Sequence, residues 1–249
     1  RFFARFYAPE ERCLRIGPLH LPRLSVSEHP TREDAYYAME IGDILIPALF
    51  QRYGYVDEGP YEWGDVRIAR DDVVFDCGAN LGVFTVLAAY RGAEVFAFEP
   101  IPEARTILKQ TLKLNPALAD RVHVVPCALG DEEKTAEFTI LADTLVGSSM
   151  VLPQTGRKMR VPVTTVDAFV ESEGLDAVNF IKADVEGAER QMLAGAVDTL
   201  RNYTPKVAIC TYHLADDPLV IANLLRNADP RYQLTSRWKK MYGVVPSRR

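Results

Sequence analysis

The sequence contains few cysteines and no long hydrophobic run. Its 249 residues include four cysteines, which lie far apart and form no CxxC pair. Scattered cysteines of this kind favour reduced thiols in a cytoplasmic protein over a disulfide framework. The longest nearly apolar stretch, Val83 to Tyr90, is far shorter than the roughly eighteen residues that cross a bilayer, so we expect no membrane span. Residues 1–6 lack an apolar signal-peptide core, and we expect no export signal.

The chain also lacks an excess of positive charge. It carries 29 Lys and Arg against 34 Asp and Glu, a formal net charge of −5, which disfavours binding to nucleic acid through a basic surface. The basic, aromatic stretch Arg237 to Lys240 is expected to be a solvated edge strand. The proportions of 48% hydrophobic and 25% charged residues are those of an ordinary soluble globular protein, and they exclude a collagen-like or disordered chain.

What the chain does contain is an alternation of short apolar runs and helical stretches. Val73–Phe75 ends in a glycine-containing turn, a helix-like stretch follows over Leu81–Tyr90, and Glu94–Phe98 has the pattern of the next strand. Strand, glycine turn, helix and strand in this order are typical of a parallel βαβ unit. Further strands are predicted at 122–125, 178–181 and 207–210, with two short ones within 232–245. We therefore predict an α/β fold with a mostly parallel sheet.

The length favours one α/β domain with a modest appendage. We predict a main domain over residues 71–249 and an N-terminal cap or extension over residues 1–70. The cap contains one convincing helix, residues 32–53, which Pro47 is expected to kink. An insertion around residues 131–163 is predicted to form two strands joined by a polar loop, at 135–141 and 159–163.

The most informative local pattern is Asp76–Gly82, DCGANLG, where a strand ends and a helix begins. Glycines let the backbone approach a ligand closely, and the amides that open a helix carry partial positive charge. The spacing is GxxxG, which argues against the GxGxxG turn that holds the pyrophosphate of dinucleotides. The turn suits a nucleoside-bearing cofactor, and glycines that serve only the chain reversal are the alternative.

Glu99 closes the next strand, 17 residues after Gly82. Ligands of open parallel sheets lie beyond the carboxyl ends of the strands, where one carboxylate can accept hydrogen bonds from two vicinal ribose hydroxyls. The alternative role is a carboxylate at the start of the helix that follows Pro100. Because Asp76–Gly82 lies upstream, we favour the ribose-binding role.

Five segments together resemble the FkbM family of S-adenosylmethionine-dependent methyltransferases: Asp76–Gly82, Glu99–Pro100, Ala128–Asp131, Val163–Phe169 and Ile181–Glu189. The last segment, IKADVEGAE, is the most specific, because many methyltransferases share the glycine turn. The resemblance covers roughly residues 60–215. It implies a Rossmann-like class I methyltransferase sheet of seven strands, mostly parallel with the last antiparallel. It also implies methyl transfer from S-adenosyl-L-methionine, usually to a hydroxyl oxygen.

The resemblance further implies which residues hold the cofactor. It places the glycine turn around the methionine part, Glu99 on the ribose, and Ala128 with Leu129 beside the adenine. Cys77 stands where the family usually has a hydrophobic residue, a mild departure. The implied cofactor-binding residues are Asp76, Gly78, Ala79, Asn80, Gly82, Glu99, Pro100, Ala128, Leu129 and Asp184.

Three residues are candidates for catalysis. Asp184 and Glu186 follow the strand predicted at 178–181, where carboxylates stabilise a sulfonium electrostatically or orient the acceptor. The alternative, for Glu186 above all, is that the carboxylate serves the start of a helix. His213 follows the strand predicted at 207–210, and imidazole, with an ordinary pKa of about 6.5, suits a general base near neutral pH. The alternative for His213 is a structural loop histidine.

A metal site is the competing interpretation of this rim. Asp184, His213, Asp216 and Asp217 offer the ligand types that Mg²⁺ or Mn²⁺ accepts. Asp216 and Asp217 directly precede Pro218, however, which is typical of a helix start. We therefore expect no metal.

Three neighbours of the expected site carry weaker predictions. Lys182 lies two residues before Asp184, and its side chain is expected in a salt bridge at the edge of the core. Tyr61 and Glu62 precede the first strand of the main domain, and closure of these two side chains over the cofactor is a hypothesis.

The sequence thus predicts an S-adenosylmethionine-dependent methyltransferase that modifies a hydroxyl of a small molecule, sugar or glycan. Two alternatives stay open. One is a nicotinamide-dependent oxidoreductase, which the missing middle glycine at Asn80 argues against. The other is a non-catalytic protein that keeps the cofactor pocket. The expected partner is the small-molecule or glycan acceptor, without nucleic acid, and the oligomeric state is open, a homo-oligomer included.

Overall fold

The computed structural model describes residues 5–8, 13–24, 31–52, 57–141, 148–152 and 155–246. Its strands are β1 (Tyr7–Ala8), β2 (Cys13–Ile16), β3 (Leu19–Pro22), β4 (Val73–Cys77), β5 (Glu94–Phe98), β6 (Val122–Val125), β7 (Ala128–Leu129), β8 (Lys134–Ile140), β9 (Arg157–Thr164), β10 (Phe180–Ala183), β11 (Lys206–Cys210), β12 (Gln233–Arg237) and β13 (Lys240–Val244). Its helices are α1 (Arg32–Glu40), α2 (Ile46–Phe50), α3 (Val83–Tyr90), α4 (Pro102–Leu114), α5 (Pro116–Ala119), α6 (Val166–Glu173), α7 (Glu189–Ala194), α8 (Val197–Tyr203) and α9 (Asp217–Ala228). A π-helical turn, Ile41–Leu45, joins α1 to α2.

Seven strands of the described chain form the central sheet, in the order β12-β13-β11-β10-β4-β5-β6. The strands β6, β5, β4, β10 and β11 run parallel, whereas β13 is antiparallel to both β11 and β12. The predicted fold is therefore confirmed, including the reversed last strand. The chain passes from β4 to β5 and β6 and then returns to β10, so β4 and β10 flank the topological switch point where ligands of such sheets bind.

Alternating side chains on the central strands build two hydrophobic layers, one on each face of the sheet. Val74 in β4 belongs to the layer that includes α3 and the N-terminal cap, whereas its neighbour Phe75 belongs to the layer beneath α6 to α9. In the second layer, the ring of Phe98 lies 5.2 Å from that of Phe75 and 4.8 Å from that of Phe169. Burial of each such ring contributes roughly 1.5–3 kcal/mol, which fixes the strand that carries the glycine turn.

The N-terminal region contains the predicted helix, and its distortion begins before Pro47. Helical structure runs over residues 32–50, with the π-turn in its middle, where the amide of Ile46 donates to the carbonyl of Ile41. Because proline has no N–H, the carbonyl four residues before Pro47 loses its usual donor, and the wider π-turn lies at this point of the helix. Residue 53, the predicted end, lies outside the described residues.

The same region also contains a three-stranded antiparallel sheet that the sequence analysis did not predict. Its strands are β1, β2 and β3, in that order. The β2-β3 hairpin turns over Gly17 and Pro18, and Gly17 has φ +59, as the first central position of a two-residue turn requires. The alternating apolar residues around this Gly-Pro pair were an available signal. The division of the chain at residues 70 and 71 stays a prediction.

The segment after β6 forms a second small sheet, in the order β7-β9-β8. The long antiparallel pair β8-β9 overlaps the two strands predicted at 135–141 and 159–163. Part of the predicted polar loop, residues 142–147, lies outside the described residues. No helix in the described ranges has the length and apolar character needed to cross a membrane.

Asn115 connects the N-terminal sheet to the main domain. Its side-chain oxygen accepts a hydrogen bond from the amide of His20 at 3.0 Å, and its side-chain nitrogen donates to the carbonyls of His20 and Thr111 at 2.6 and 2.7 Å. The residue is buried, so these three hydrogen bonds are shielded from water. Asn115 therefore holds β3 against the end of α4.

Substitution of Asn115 tests this connection. We expect Asn115→Ala to lower the free energy of unfolding by about 1–3 kcal/mol, because it leaves buried backbone groups without partners. Urea denaturation followed by circular dichroism measures the change, with Asn202→Ala on the exposed side of α8 as the matched control. Equal stability of the two variants would show that the cap sheet is held by other contacts.

Candidate active site

The turn after β4 brings the backbones of neighbouring strands together. Gly78 has φ +78, and a Cβ placed on it would lie 1.9 Å from the carbonyl oxygen of Asp184, so a residue with a side chain does not fit. The amides of Gly78 and Ala79 donate to the carbonyl of Phe98 at 3.0 and 2.9 Å. Gly82, with φ +87, directly precedes α3. The tips of β4, β5 and β10 are thus held in contact.

Glu99 connects this turn to the end of β5. One carboxylate oxygen accepts a hydrogen bond from the amide of Asn80 at 2.9 Å, and the other accepts one from the amide of Ile101 at 2.7 Å. Burial raises the pKa of Glu99 to about 7, although these two hydrogen bonds oppose the shift. Because Ile101 is the N-cap of α4, the second hydrogen bond places the carboxylate at the start of a helix, which is the alternative role predicted for Glu99.

A buried ion pair lies beneath the turn. The Lys182 ammonium is 3.0 Å from a carboxylate oxygen of Asp76, and it donates to the carbonyls of Cys77, at 3.2 Å, and Gly78. The hydroxyl of Thr85 donates to the other oxygen of Asp76 at 2.6 Å. Desolvation lowers the pKa of Lys182, but the charges of Asp76 and Asp184 outweigh it, so the pKa is raised. The predicted salt bridge of Lys182 exists, and it lies deeper than the core edge.

The position of Asp76 corrects one sequence-based expectation. Its side chain is 0% exposed and is directed to Lys182 and Thr85, on the inner side of the turn, so it does not line the cavity. Ala79 and Gly82 also lie away from the cavity, and Gly82 packs on Leu108 of α4. These three residues support the turn on the side that faces away from the cavity. The resemblance alone does not distinguish such a position from direct contact with the cofactor.

A cavity of about 460 Å³ opens beyond the carboxyl ends of β4, β5 and β10, within the volume range of small-molecule sites. One end is mostly apolar and includes Phe98, Ile101 and Cys127. The other end is polar and acidic. Eight of the residues proposed from the sequence line the cavity: Gly78, Asn80, Glu99, Pro100, Ala128, Leu129, Asp184 and Glu186.

Asp184 lies at the polar end, where tyrosines hold its carboxylate. The hydroxyl of Tyr61 donates to one oxygen at 2.8 Å, and that of Tyr212 donates to the other at 3.4 Å. Desolvation raises the pKa of Asp184, but the charges of Lys182 and His213 outweigh it and lower the pKa below its ordinary value. Asp184 is therefore a stable anion on the cavity wall.

His213 is enclosed by carboxylates on both sides of its ring. Its Nε2 lies 3.1 Å from a carboxylate oxygen of Glu186 and 3.7 Å from one of Asp184, and its Nδ1 lies 3.1 Å from one of Glu189. Glu189 is itself fixed, because it accepts hydrogen bonds from the amides of Val185 and Gly187 at 2.9 and 3.1 Å. Desolvation lowers the pKa of His213, but the carboxylates raise it to about 11.

This arrangement argues against the predicted general-base role of His213. The carboxylates of Glu186 and Glu189, one at each ring nitrogen, favour the protonated imidazole, which has no lone pair to accept a proton. His213 also does not line the cavity, whereas Glu186 does. Glu186 has φ +54 and is followed by Gly187 with φ +96, and this strained turn carries its side chain to the cavity. Burial raises the pKa of Glu186, against the opposing effect of His213.

The set of residues predicted as the competing metal site is divided in the structure. Asp216 and Asp217 both pair with Arg190, and Asp217 accepts a hydrogen bond from the amide of Leu214, as expected near a helix start. Among the described residues, ligand atoms of Asp184, Glu186 and His213 lie within 4.8 Å of one another. Attraction between the charged imidazole and the two carboxylates explains these short distances without an ion.

Sequence reasoning missed three residues at the polar end: Glu40, Glu58 and Tyr212. Burial and, to a lesser degree, the charge of Asp184 raise the pKa of Glu58 to about 7. Glu58 precedes Gly59 and Pro60, a turn signal in front of Tyr61, but no motif marks it as a site residue.

Two expectations near the site are wrong. Lys240 is 1% exposed, not solvated, and its ammonium lies 4.4 Å from the ring centroid of Tyr61 while donating to the carbonyl of Glu58 at 3.0 Å. Glu62 does not reach the main cavity, because its carboxylate pairs with Arg91 at 3.2 Å. Of the hypothesised pair, Tyr61 alone faces this cavity.

The profile of the Methyltransferase FkbM domain matches residues 76–232 of the chain. The chain belongs to the FkbM methyltransferase family. The resemblance found in the sequence is therefore confirmed, and the protein is a member of a methyltransferase family with the sheet and the glycine turn that the resemblance implies.

Individual relatives agree with this family membership. The chain is 28% identical over 215 residues to the 31-O-demethyl-FK506 methyltransferase FkbM of Streptomyces tacrolimicus, covering 74% of this chain and 76% of that protein. It is 27% identical over 166 residues to the hexuronic acid methyltransferase AglP of Haloferax volcanii, covering 67% and 66%. The crystal structure of the methyltransferase FkbM from Methylobacillus flagellatus KT is similar with TM-score 0.55 and 25% identity, over 71% of this chain and 44% of that one. The chain thus spans less than half of that crystallised relative.

Removal of Lys182 tests the ion pair beneath the turn of this FkbM family member. We expect Lys182→Met to lower the free energy of unfolding by about 3–5 kcal/mol, because it leaves the Asp76 carboxylate buried without its cation. The double variant Asp76→Asn/Lys182→Met removes both charges and should recover part of the loss. Urea denaturation measures both, with Lys113→Met on exposed α4 as the control. If the double variant loses as much as the sum of the single changes, the two side chains do not act as a pair.

Proposed function

We propose that the protein transfers a methyl group from S-adenosyl-L-methionine to a hydroxyl oxygen of a small molecule, sugar or glycan. The observation that carries this proposal is the pattern of hydrogen bonds that Glu99 makes. A carboxylate has about four lone-pair sites, and in Glu99 backbone amides use two of them. The remaining sites lie beside the cavity, where two neighbouring ribose hydroxyls can donate to them.

The cavity suits the three parts of this cofactor. Pro100, Ala128 and Leu129 provide apolar walls for a flat base next to Glu99. The strand tips on the other side of Glu99 fit an amino-acid part, and we assign this part to Gly78, Asn80 and Asp184. When bound, the cofactor supplies a methyl group on a positively charged sulfur. The anionic side chain of Asp184 stabilises such a charge in a site that is shielded from water.

The acceptor hydroxyl must lose its proton as its oxygen takes the methyl group. We assign this proton to Glu186, a cavity carboxylate whose raised pKa makes it a better base than an exposed glutamate. His213 is the positioning residue, because its charged ring fixes Glu186 at 3.1 Å and Glu189 fixes the ring from behind. Most of the rate then comes from alignment of the acceptor oxygen with the methyl group, and proton removal adds about 10²–10⁴-fold.

The choice of an oxygen acceptor draws support from the relatives. The Streptomyces relative is named for a substrate that lacks a methyl group on an oxygen, 31-O-demethyl-FK506, and the Haloferax relative for a hexuronic acid, a sugar derivative. The nicotinamide-dependent alternative has lost support, because the chain belongs to a methyltransferase family. A non-catalytic protein of the same fold would bind S-adenosylhomocysteine without acceptor-dependent turnover. A screen of hydroxylated acceptors by release of S-adenosylhomocysteine distinguishes the two.

Substitution of Glu99 tests the ribose contact. We expect Glu99→Gln to weaken binding of S-adenosylhomocysteine by roughly 10–100-fold, since two charge-assisted hydrogen bonds become neutral ones. Isothermal titration calorimetry measures the affinity. The matched control is Glu103→Gln on α4, which lies on the surface and pairs with Arg157. Unchanged affinity in Glu99→Gln would remove the observation on which the proposed function stands.

Substitution of His213 tests the division of roles between His213 and Glu186. Loss of the imidazolium raises the pKa of Glu186, so we expect His213→Gln to shift the acidic limb of the kcat/KM profile to higher pH and to lower kcat by about tenfold, less than loss of a general base. The control is His123→Gln, a surface histidine paired with Glu94.

Two results would contradict these roles. A fall in kcat without a shift of the acidic limb would return the base role to His213. Activity that is lost in EDTA and restored by Mg²⁺ would make Asp184, Glu186 and His213 metal ligands instead.

A further inference from the structure

Glu40 presents an unpartnered carboxylate oxygen to the cavity. It is the last residue of α1, directly before the π-turn, and its side chain lines the polar end. Its Oε2 is buried, and no described residue makes a hydrogen bond to it. Burial raises the pKa of Glu40 to about 8, although the charge of Lys182 and a hydrogen bond with the side chain of Asn80 oppose the shift.

Such a group is costly unless something pairs with it. A buried carboxylate oxygen without a partner destabilises the folded chain, and proteins retain one mainly where a ligand, metal or proton completes it. Lys182, whose charge acts on Glu40, is committed to Asp76 and to the carbonyls of the turn. The acidic neighbours Asp184 and Glu58 contribute to the raised pKa of Glu40, and no described residue donates a hydrogen bond to Oε2.

The π-turn explains how α1 delivers this residue. The widened turn shifts the helical register by one residue, so that Glu40, Asp43 and Ile44 all line the cavity. Asp43 then accepts hydrogen bonds from the amides of Asp57 and Glu58, at 3.2 and 2.8 Å, so each of its carboxylate oxygens has a backbone partner. π-turns inside helices occur often at functional sites. Of the two carboxylates, Asp43 thus binds the protein's own backbone, whereas Glu40 keeps an oxygen for a ligand.

We infer that Glu40 binds the α-ammonium group of the methionine part of the cofactor, so that a residue of the N-terminal cap completes the cofactor site. The inference rests on the proposed function. Glu40 adjoins Asn80 of the glycine turn, to which we assign the amino-acid part, and an unpartnered acceptor oxygen pairs with a hydrogen-bond donor, which an ammonium has and a sulfonium lacks. Glu40 lies outside residues 76–232, the part that matches the family domain.

The test compares two ligands that differ in the amino-acid part. S-adenosylhomocysteine has the α-ammonium group, whereas 5′-methylthioadenosine keeps the adenosine and the sulfur and lacks it. We expect Glu40→Gln to weaken binding of S-adenosylhomocysteine by roughly 10–100-fold and to leave binding of 5′-methylthioadenosine within about twofold of wild type. The control is Glu173→Gln, an exposed glutamate of α6, which should change neither affinity.

The stability of the variant separates a ligand contact from a structural role. Glu40→Gln replaces a buried acid, which is costly to ionise, by a neutral amide of the same shape, so its melting temperature without ligand should equal or exceed that of the wild type. A lower melting temperature, together with equal losses for both ligands, would mean that Glu40 serves the fold and would overturn the inference.

Other outcomes are equally decisive. Unchanged affinity for S-adenosylhomocysteine in Glu40→Gln excludes the ammonium contact. A loss that is much larger for S-adenosylmethionine than for S-adenosylhomocysteine assigns Glu40 to the sulfonium and overturns the inference. If the wild-type protein binds none of these ligands, the proposed function fails first, and the inference fails with it.

Discussion

The buried ammonium group of Lys182 is the interaction on which the rest of the site depends. It lies between the tips of β4 and β10, where it neutralises Asp76 and holds the carbonyl of Gly78. The ring of Tyr61 lies 5.3 Å away from it, and the charge of Lys182 also lowers the pKa of Asp184. A lysine in the middle of a sheet is expensive to desolvate. Here one cation acts on a turn, on the ring of Tyr61 and on the carboxylate of Asp184 together.

The remaining charges of the cavity are weakly compensated. Burial raises the pKa of Glu40 to about 8 and those of Glu58 and Glu99 to about 7, and each of these carboxylates lines the cavity. An acid whose pKa is higher in the folded chain than in the unfolded chain reduces stability once the pH exceeds its ordinary pKa. The cavity is therefore a locally unstable arrangement that a positively charged ligand relieves. This is the charge that the reactive sulfur of the proposed cofactor carries.

The sheet and the glycine turn could be predicted from the sequence because their signals are local. One βαβ unit contains the strand before Asp76, the glycines of the following turn, and Glu99. Each of these patterns is typical of one local structure. The direction of the Asp76 side chain could not be predicted, because it depends on Lys182 in a strand far away in the chain. The protonation of His213 likewise depends on Glu186 and Glu189, which lie on a different turn.

The contributions of the N-terminal region escaped sequence analysis for a similar reason. Tyr61 reaches Asp184 across 123 residues of chain, and Lys240 reaches the carbonyl of Glu58 across 182. No periodicity links positions so far apart. The β2-β3 hairpin is different, since its Gly-Pro turn and alternating strands were visible in the sequence and were not recognised.

The close contact between Gly78 and the carbonyl of Asp184 affects which walls of the cavity can move when a ligand enters or leaves. Parallel ladder hydrogen bonds and this backbone contact join β4 to β10, so the floor of the cavity is rigid. The other walls consist of side chains from several parts of the chain, among them Tyr61, Tyr36 of α1 and Phe138 of β8. Side-chain walls rearrange more readily than a hydrogen-bonded ladder. For the proposed reaction, we therefore expect the acceptor to enter and its product to leave past these side chains, and acceptor choice can diverge there while the floor stays unchanged.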